Sequence, residues 1–440
     1  MNYTELIKRS YELGFSDLEV YERTSSDLTI AIYNGVVDKN KISDVTVSTI
    51  RGIYNGKMAS MILENLEEDI DFVLENLLKN AKSLTTEEEF MIYEGDKEYP
   101  KVKHVENDFS NYTNFDKAEL LKQLELKVKQ KDSRIVFVPY CNYQEVKSAV
   151  KITNSKGLNV EKTNQYCALI VQAVARENND SQSGFKVDVK LRYDDLNVDK
   201  IVDDVVTKTV AMLNAKSIPS KNYPVIIEND AMTDLLSSFM GVFSGEAAIK
   251  KLTPLLEKEN QLIMSDLVTI VDDPMCSEAI MNEPFDDEGV ACYKKEIVSN
   301  GVFKTFLHNL KTAKYFKTKS TGNGFKSGST ITVSGANVYI TPGEKSKNDL
   351  IKEMNEGLLL TTLEGLHAGV NAISGDFSLK AQGFLVEKGQ VSRAVTLIVA
   401  AGNFYKLMKD VVAVGNDLEI GHQGIAAPSI LFKGIAISGE

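Results

Sequence analysis

The chain is poor in the residues that build metal and disulfide centres. Its 440 residues include four histidines (His104, His308, His367 and His422) and four cysteines (Cys141, Cys167, Cys276 and Cys292). No two histidines stand at ligand spacing and no cysteine pair forms C-x-x-C, so the sequence spells out neither a local zinc site nor a redox motif. Nothing in the cysteine spacing suggests a disulfide framework either. The thiols are expected to be reduced packing residues and the protein cytoplasmic. Long apolar runs are missing: none approaches the roughly 20 residues a membrane span requires. Met1–Arg9 reads as the start of an amphipathic helix rather than a signal peptide. Positive charge is in short supply too. A formal net charge of −12 argues against a general nucleic-acid binder, because phosphate contacts need clustered Lys and Arg. The basic stretches 127–131 and 314–319 read as solvated helix or strand faces.

What remains is an ordinary globular composition, 43% hydrophobic and 25% charged, in a chain long enough for two domains. Residues 1–84 open with a helix near Thr4–Leu13. Segments of period two follow at Leu18–Glu22, Leu28–Tyr33 and Val45–Ile50. A helix over Glu67–Ala81 repeats Ile70, Val73, Leu74, Leu77 and Leu78 at helical spacing. After an acidic connection, 85–114, the order returns in residues 115–218. There the pattern predicts a helix over Lys117–Lys129, then strands around Arg134–Val138, Glu145–Ile152, Cys167–Ala175 and Phe185–Arg192, then a helix over Val198–Leu213. The echo suggests a helix–strands–helix duplication.

Pro219 and Pro224 break the helical pattern and set a boundary before a domain at 219–440. Pro224–Ile227 reads as a buried strand, and Met232, Leu235, Leu236, Phe239, Met240 and Phe243 as an apolar helix. From Ser265 onward short strands alternate with Gly, Asn and Asp turns, with one helix around Asn348–Glu356. The fold class expected is α+β, an N-terminal α/β domain followed by a strand-rich α+β domain.

Six motifs punctuate the chain in a fixed order. They are Val271-Asp272-Asp273-Pro274, Phe285-Asp286-Asp287-Glu288-Gly289, Ser320-Thr321-Gly322-Asn323-Gly324, Ser374-Gly375-Asp376-Phe377-Ser378, Ala401-Gly402-Asn403 and Val414-Gly415-Asn416-Asp417-Leu418-Glu419. Together they resemble the TldD/TldE (PmbA) family, across essentially the whole chain and most densely from Pro224 on. The resemblance implies a peptidase built from two related subunits. The TldD-type subunit carries His-Glu-x-x-x-His, two zinc ligands and a general base, together with a C-terminal Cys ligand. Laid on this chain, the first His falls on Gly245, the Glu on Glu246 and the second His on Lys250. Gly245 has no donor and an ammonium repels a cation, and no cysteine follows Cys292. The chain therefore looks like the metal-free TldE/PmbA-type partner. The residues by themselves also allow a plainer account, in which Ser244 caps a helix with Glu246 in its first turn.

Other groups are open to more than one role. Asp272, Asp273, Asp286, Asp287 and Glu288 could offer oxygen ligands to a hard cation. Neighbours on a strand point to opposite faces, however, and Asp-Pro and Asp-Glu-Gly are good turn sequences. The run 322–328 lacks the order of a phosphate loop, and no G-x-S-x-G nucleophile elbow is present. Gly375, Asp376, Asn416 and Asp417 are hairpin tips or, with Asp286 and Asp287, contacts to substrate or partner.

The resemblance implies no catalytic residue and no cofactor in this chain, which would be silent on its own. It would pair with a zinc-bearing TldD-type subunit to cleave small or unfolded peptides, and could form a homodimer when isolated. The "modulator of DNA gyrase" label attached to this group gains no support from the acidic balance, so neither direct nucleic-acid contact nor a membrane is expected. Two other readings stand beside this one. The first is a non-enzymatic peptide-binding or toxin-control module, capturing peptide on a strand edge. The second is an independent divalent-metal hydrolase using the carboxylates of 272–273 and 286–288.

Overall fold

The computed structural model describes residues 1–64, 68–85, 91–102, 105–328, 330–421 and 424–440. His104 and His422 fall outside them, as do parts of the 85–114 connection and the first residue of the helix expected over Glu67–Ala81.

The first half runs α1 (Tyr3–Glu12), β1 (Phe15–Tyr33), β2 (Val36–Tyr54), β3 (Lys57–Leu63) and α2 (Ile70–Ser83). It then repeats that order as α3 (Asn114–Lys131), β4 (Ile135–Asn154), β5 (Asn159–Glu177), β6 (Asp180–Lys190) and α4 (Val198–Ala211). The strands of both passes merge into one antiparallel sheet of order β3-β2-β1-β4-β5-β6. Each helix pair covers its own core: Leu6, Leu18, Ile50 and Val73 in the first pass, Leu121, Leu124, Tyr143 and Val205 in the second. Asn34-Gly35 and Asn55-Gly56 turn the first hairpins with positive φ at both positions, the conformation a two-residue type I′ turn demands.

The alternating segments at Leu18–Glu22 and Leu28–Tyr33 prove to be parts of one 19-residue strand. The polar stretch between them, Arg23–Asp27, is paired to β2 on one side and β4 on the other. Two ladders of backbone hydrogen bonds outweigh its weak strand propensity. At α3 the helix begins three residues before Lys117, because Thr113 and Asp116 close a capping box.

The second half is α+β. Its elements are β7 (Lys221–Ile227), α5 (Asn229–Phe239), α6 (Gly245–Ile249), β8 (Ile270–Asp272), β9 (Lys295–Ser299), β10 (Val302–Phe303), α7 (Leu310–Phe316), β11 (Gly324–Ser327), β12 (Thr330–Val333) and β13 (Val338–Ile340). They continue with α8 (Lys347–Met354), β14 (Gly357–Glu364), α9 (Leu366–Gly369), β15 (Asp376–Glu387), β16 (Gln390–Asn403), α10 (Phe404–Leu407), β17 (Val411–Val414), β18 (Ile425–Ala426) and β19 (Ile430–Ser438).

One sheet has the order β16-β15-β14-β7-β19-β17, and an extra pairing of β16 with β19 closes five of its strands into a ring. A second sheet, β10-β9-β8-β13-β18, and the β11–β12 hairpin lie beside it. Helix α5 buries Leu235, Leu236 and Phe239 in the largest core, where Phe239 stacks on Phe404 at 4.1 Å between ring centres. Among the described residues no helix is long and apolar enough to cross a membrane.

Candidate functional site

The three positions that the resemblance aligns with the zinc motif fall on α6, which is a single turn. Ser244 accepts a hydrogen bond from the Glu246 N–H (3.1 Å), so Ser244 is the N-cap and Glu246 sits in the first turn. Gly245 is buried, Glu246 half-buried, and Lys250 exposed at the far end, so the three do not converge. The space in front of Gly245 is filled: a Cβ there would lie 2.6 Å from His308 Nδ1 and 2.9 Å from Thr312 Oγ1. The His308 Nδ1 shares a hydrogen bond with that hydroxyl (3.1 Å). Burial pushes the imidazole pKa down to about 4, so it is neutral at pH 7.

Glycine, glutamate and lysine in this geometry do not fit zinc. The misfit does not depend on the alignment, because the whole stretch 229–250, α5 through α6, contains neither His nor Cys. Among the described residues no group of three or more His, Cys, Asp or Glu is placed to hold a metal. One consequence concerns packing. Gly245→Ala drives a methyl group into His308 and Thr312, and overpacking of this kind costs about 1–3 kcal/mol. Urea unfolding should show that loss, and an unchanged midpoint would contradict the packing described.

The carboxylates at 272–273 and 286–288 are brought to two buried clusters, where they act as acceptors. Asp272 is fully buried. Its Oδ1 accepts the N–H groups of Ala336 (2.9 Å) and Asn337 (3.2 Å), and its Oδ2 accepts Lys295 Nζ (3.1 Å) and Asn323 Nδ2 (2.7 Å). Asn323, from the Gly-Asn-Gly run, is thereby a strut, and Asp273 pairs with Lys294 (2.8 Å). Asp286 accepts the N–H groups of Glu288 (3.0 Å), Val290 (3.0 Å) and Gly324 (2.8 Å). Asp287 accepts Tyr21 Oη (3.0 Å) and the Lys326 N–H (2.7 Å). Glu288 accepts the Leu310 N–H (2.8 Å) at the start of α7.

Tyr21 and Lys162 come from the long N-terminal sheet, so the loop 283–290 fastens the two halves. Lys162 donates to the Phe285 carbonyl (2.8 Å) and pairs with Glu283, and Lys326 donates to Thr49 Oγ1 (2.7 Å). The sequence carried no local signal for Tyr21, Thr49 or Lys162 in this role.

Burial raises Glu288 to about 7, and burial together with the Glu288 charge raises Asp286 well above the carboxylate range. A carboxyl that titrates near 4.5 unfolded and near 7 folded holds its proton more tightly in the fold. Its contribution to stability is greatest below the unfolded value and is lost as pH rises toward 7, by about 3 kcal/mol in all. Glu288→Gln keeps an acceptor for Leu310 but cannot ionise. It should flatten the stability profile between pH 5 and 7 in urea titrations; a slope equal to that of the parent chain would refute the assignment.

The remaining sequence candidates form two further groups. Gly375 takes φ +86° and Asp376 opens β15, where its carboxylate accepts Asn403 Nδ2 (2.8 Å) across the sheet. Asn403 also donates to the Ser374 carbonyl (2.8 Å), which joins the 374–378 and 401–403 motifs. Asp417 accepts the N–H (2.8 Å) and hydroxyl (2.6 Å) of Ser429, whose Oγ accepts the Asn229 N–H (3.1 Å) that starts α5. The neighbouring Asn416 donates its N–H to the Lys345 carbonyl (2.8 Å). Among the described residues no hydrogen bond or ion pair joins these groups to Asp286 or Asp287.

The motifs thus act as internal struts in separate groups: 272–273, 286–288 and 320–324 share hydrogen bonds, 374–378 is tied to 401–403, and 414–419 is tied through Ser429 to the start of α5. Residues 220–439 match the family model described as the PmbA/TldA metallopeptidase C-terminal domain, and residues 107–213 match the central domain of the same family. The chain belongs to the PmbA/TldD family. Metalloprotease PmbA of Escherichia coli O157:H7 is 28% identical over 324 residues, 73% of this chain and 69% of the relative. The PmbA homologue of Buchnera aphidicola subsp. Baizongia pistaciae is 30% identical over 269 residues, but the match spans only 57% of its length.

Among solved structures, a Thermotoga maritima protein described as a candidate modulator of a DNA gyrase superposes with TM-score 0.92 and 32% identity, over 99% of each chain. TldE of Thermococcus kodakarensis superposes with TM-score 0.88 and 25% identity, over 99% of this chain and 100% of the other.

Proposed function

We propose that this chain is the metal-free partner subunit of a TldD/TldE-type zinc metallopeptidase that acts on small or unfolded peptides. The observation that carries the reading is the His- and Cys-free stretch from Asn229 to Lys250, with Gly245 packed against His308, in a chain that otherwise keeps the family fold. A TldD-type subunit would bring the zinc and the general base. This chain would contribute the surface that orders the partner's site and closes it to water. Likeness to a TldE subunit along the full length supports the pairing.

The reading as an independent hydrolase is less well supported, because the oxygens of Asp272 and Asp286 are already taken by N–H and ammonium donors. Four buried thiols, none in a disulfide, suit a reducing compartment, and we place the protein in the cytoplasm. Metal analysis tests the proposal. The purified chain should hold no stoichiometric zinc after dialysis, and one tightly bound zinc per chain would overturn the assignment.

A further inference from the structure

A cleft of about 650 Å³ opens where the edge strand β6 and helix α4 face the start of α5 and strands β14 and β15. Five carboxylates line it (Glu228, Asp230, Asp234, Glu364 and Glu419) against two ammonium groups, Lys186 and Lys208. Lys208 is spent on Asp230 (2.8 Å), and Glu364 is met by Lys380 (2.9 Å). Asp234 and Glu419 have no ion pair among the described residues. Asp234 stands one helical turn beyond Asp230, a like-charge spacing that is unfavourable and that Lys208 offsets on the Asp230 side only.

Glu228 supplies a second, independent observation. Its side chain is 8% exposed, and its Oε1 accepts Lys347 Nζ at 2.6 Å. Its Oε2 is shielded from solvent and accepts no hydrogen bond from the described residues. A buried carboxylate oxygen without a donor is costly, more so than a neutral acceptor.

The chemistry of the cleft selects the ligand. A hard metal ion wants six or more oxygens gathered at one point, and no such group of side chains is present among the described residues. The walls are partly apolar, with Phe185, Leu359 and Phe384, and apolar walls suit the aliphatic stem of a cationic side chain. We propose that this cleft binds a peptide through an ammonium or guanidinium group, with the Glu228 carboxylate as the buried acceptor. The inference rests on the peptide-processing reading and adds the charge its substrate should carry.

Calorimetry on the isolated full-length chain tests it with three tetrapeptides. One is acetylated and amidated with a single lysine, one is the same with glutamate in place of lysine, and one is uncharged in its side chains with a free amino terminus. The glutamate peptide should not bind, and at least one of the other two should, more weakly as salt rises. Binding of the blocked lysine peptide assigns the side chain as the cation, and binding of the free-amine peptide assigns the chain terminus. Glu228→Gln should weaken binding by about tenfold, the worth of one charge-assisted hydrogen bond.

Asp234→Asn, on the exposed face of α5, should weaken binding without touching the core, and decides the matter if Glu228→Gln does not fold. Glu12→Gln, at an exposed position on α1, should leave binding unchanged. Equal affinity for the glutamate peptide, no binding of any probe, or full affinity in both cleft variants would overturn the proposal. None of these outcomes bears on zinc content, so this inference and the metal-free reading can fail separately.

Discussion

Asp272→Ala should destabilise the C-terminal half by about 3–5 kcal/mol, the range for breaking a buried ion pair on one side only. Asp272 is fully buried and receives four hydrogen bonds, from the backbone at 336 and 337 and from the side chains of Asn323 and Lys295. Alanine leaves Lys295, itself buried, as an uncompensated charge, since its other contacts are the neutral Asn323 carbonyl (3.2 Å) and the Tyr293 ring. It also strips two backbone N–H groups of their acceptor. Adding Lys295→Met removes the stranded charge, so the double variant should lose clearly less than the sum of the two single losses. Urea unfolding of all four proteins measures this coupling. A loss below about 1 kcal/mol for Asp272→Ala, the scale of an exposed pair, would show that the cluster is not a buried strut.

This strut also marks where the sequence stops being legible. Asp272, Asp286, Asn323 and Asp417 stood out as motif residues, but their partners are far along the chain. Lys295 lies 23 residues from Asp272, and Tyr21 lies 266 from Asp287. Spacing can suggest that a carboxylate is a metal ligand or a turn, and it cannot show that its oxygens meet distant backbone N–H groups. Helices were clear because 3.6-residue periodicity is local: α2, α4 and α5 lie close to the helices expected over Glu67–Ala81, over Val198–Leu213 and around Leu235. The long strands were harder to see, since pairing on both sides carries β1 through its polar middle at Arg23–Asp27.

The echo between the two N-terminal passes was visible in the order of elements. That both passes share one sheet depends on the pairing of β1 with β4, more than 100 residues away in sequence, and no local pattern encodes it. At α6 the Ser244 cap could be read from sequence, whereas the His308 ring filling the space before Gly245 could not. The cleft under Glu228 borrows Glu419 from the 414–419 motif and takes the rest of its lining from scattered segments that carry none.

Alone, the chain should not hydrolyse peptides, because hydrolysis needs an activated nucleophile and a group to stabilise the oxyanion. The stretch 229–250 supplies neither histidine nor cysteine toward a metal-activated water, and His308 is buried against Thr312. A silent subunit can still govern rate by holding the partner's groups in place, since a misplacement of ~1 Å can cost about a hundredfold. The direct measurement is turnover of an unstructured peptide by this chain, by a purified His-Glu-x-x-x-His subunit, and by the two together. This chain should give no turnover, and the pair about a hundredfold more than the partner alone. Zinc-dependent turnover by this chain alone, with contaminating protease excluded, would contradict the metal-free partner reading, and so would a partner equally active with and without this chain.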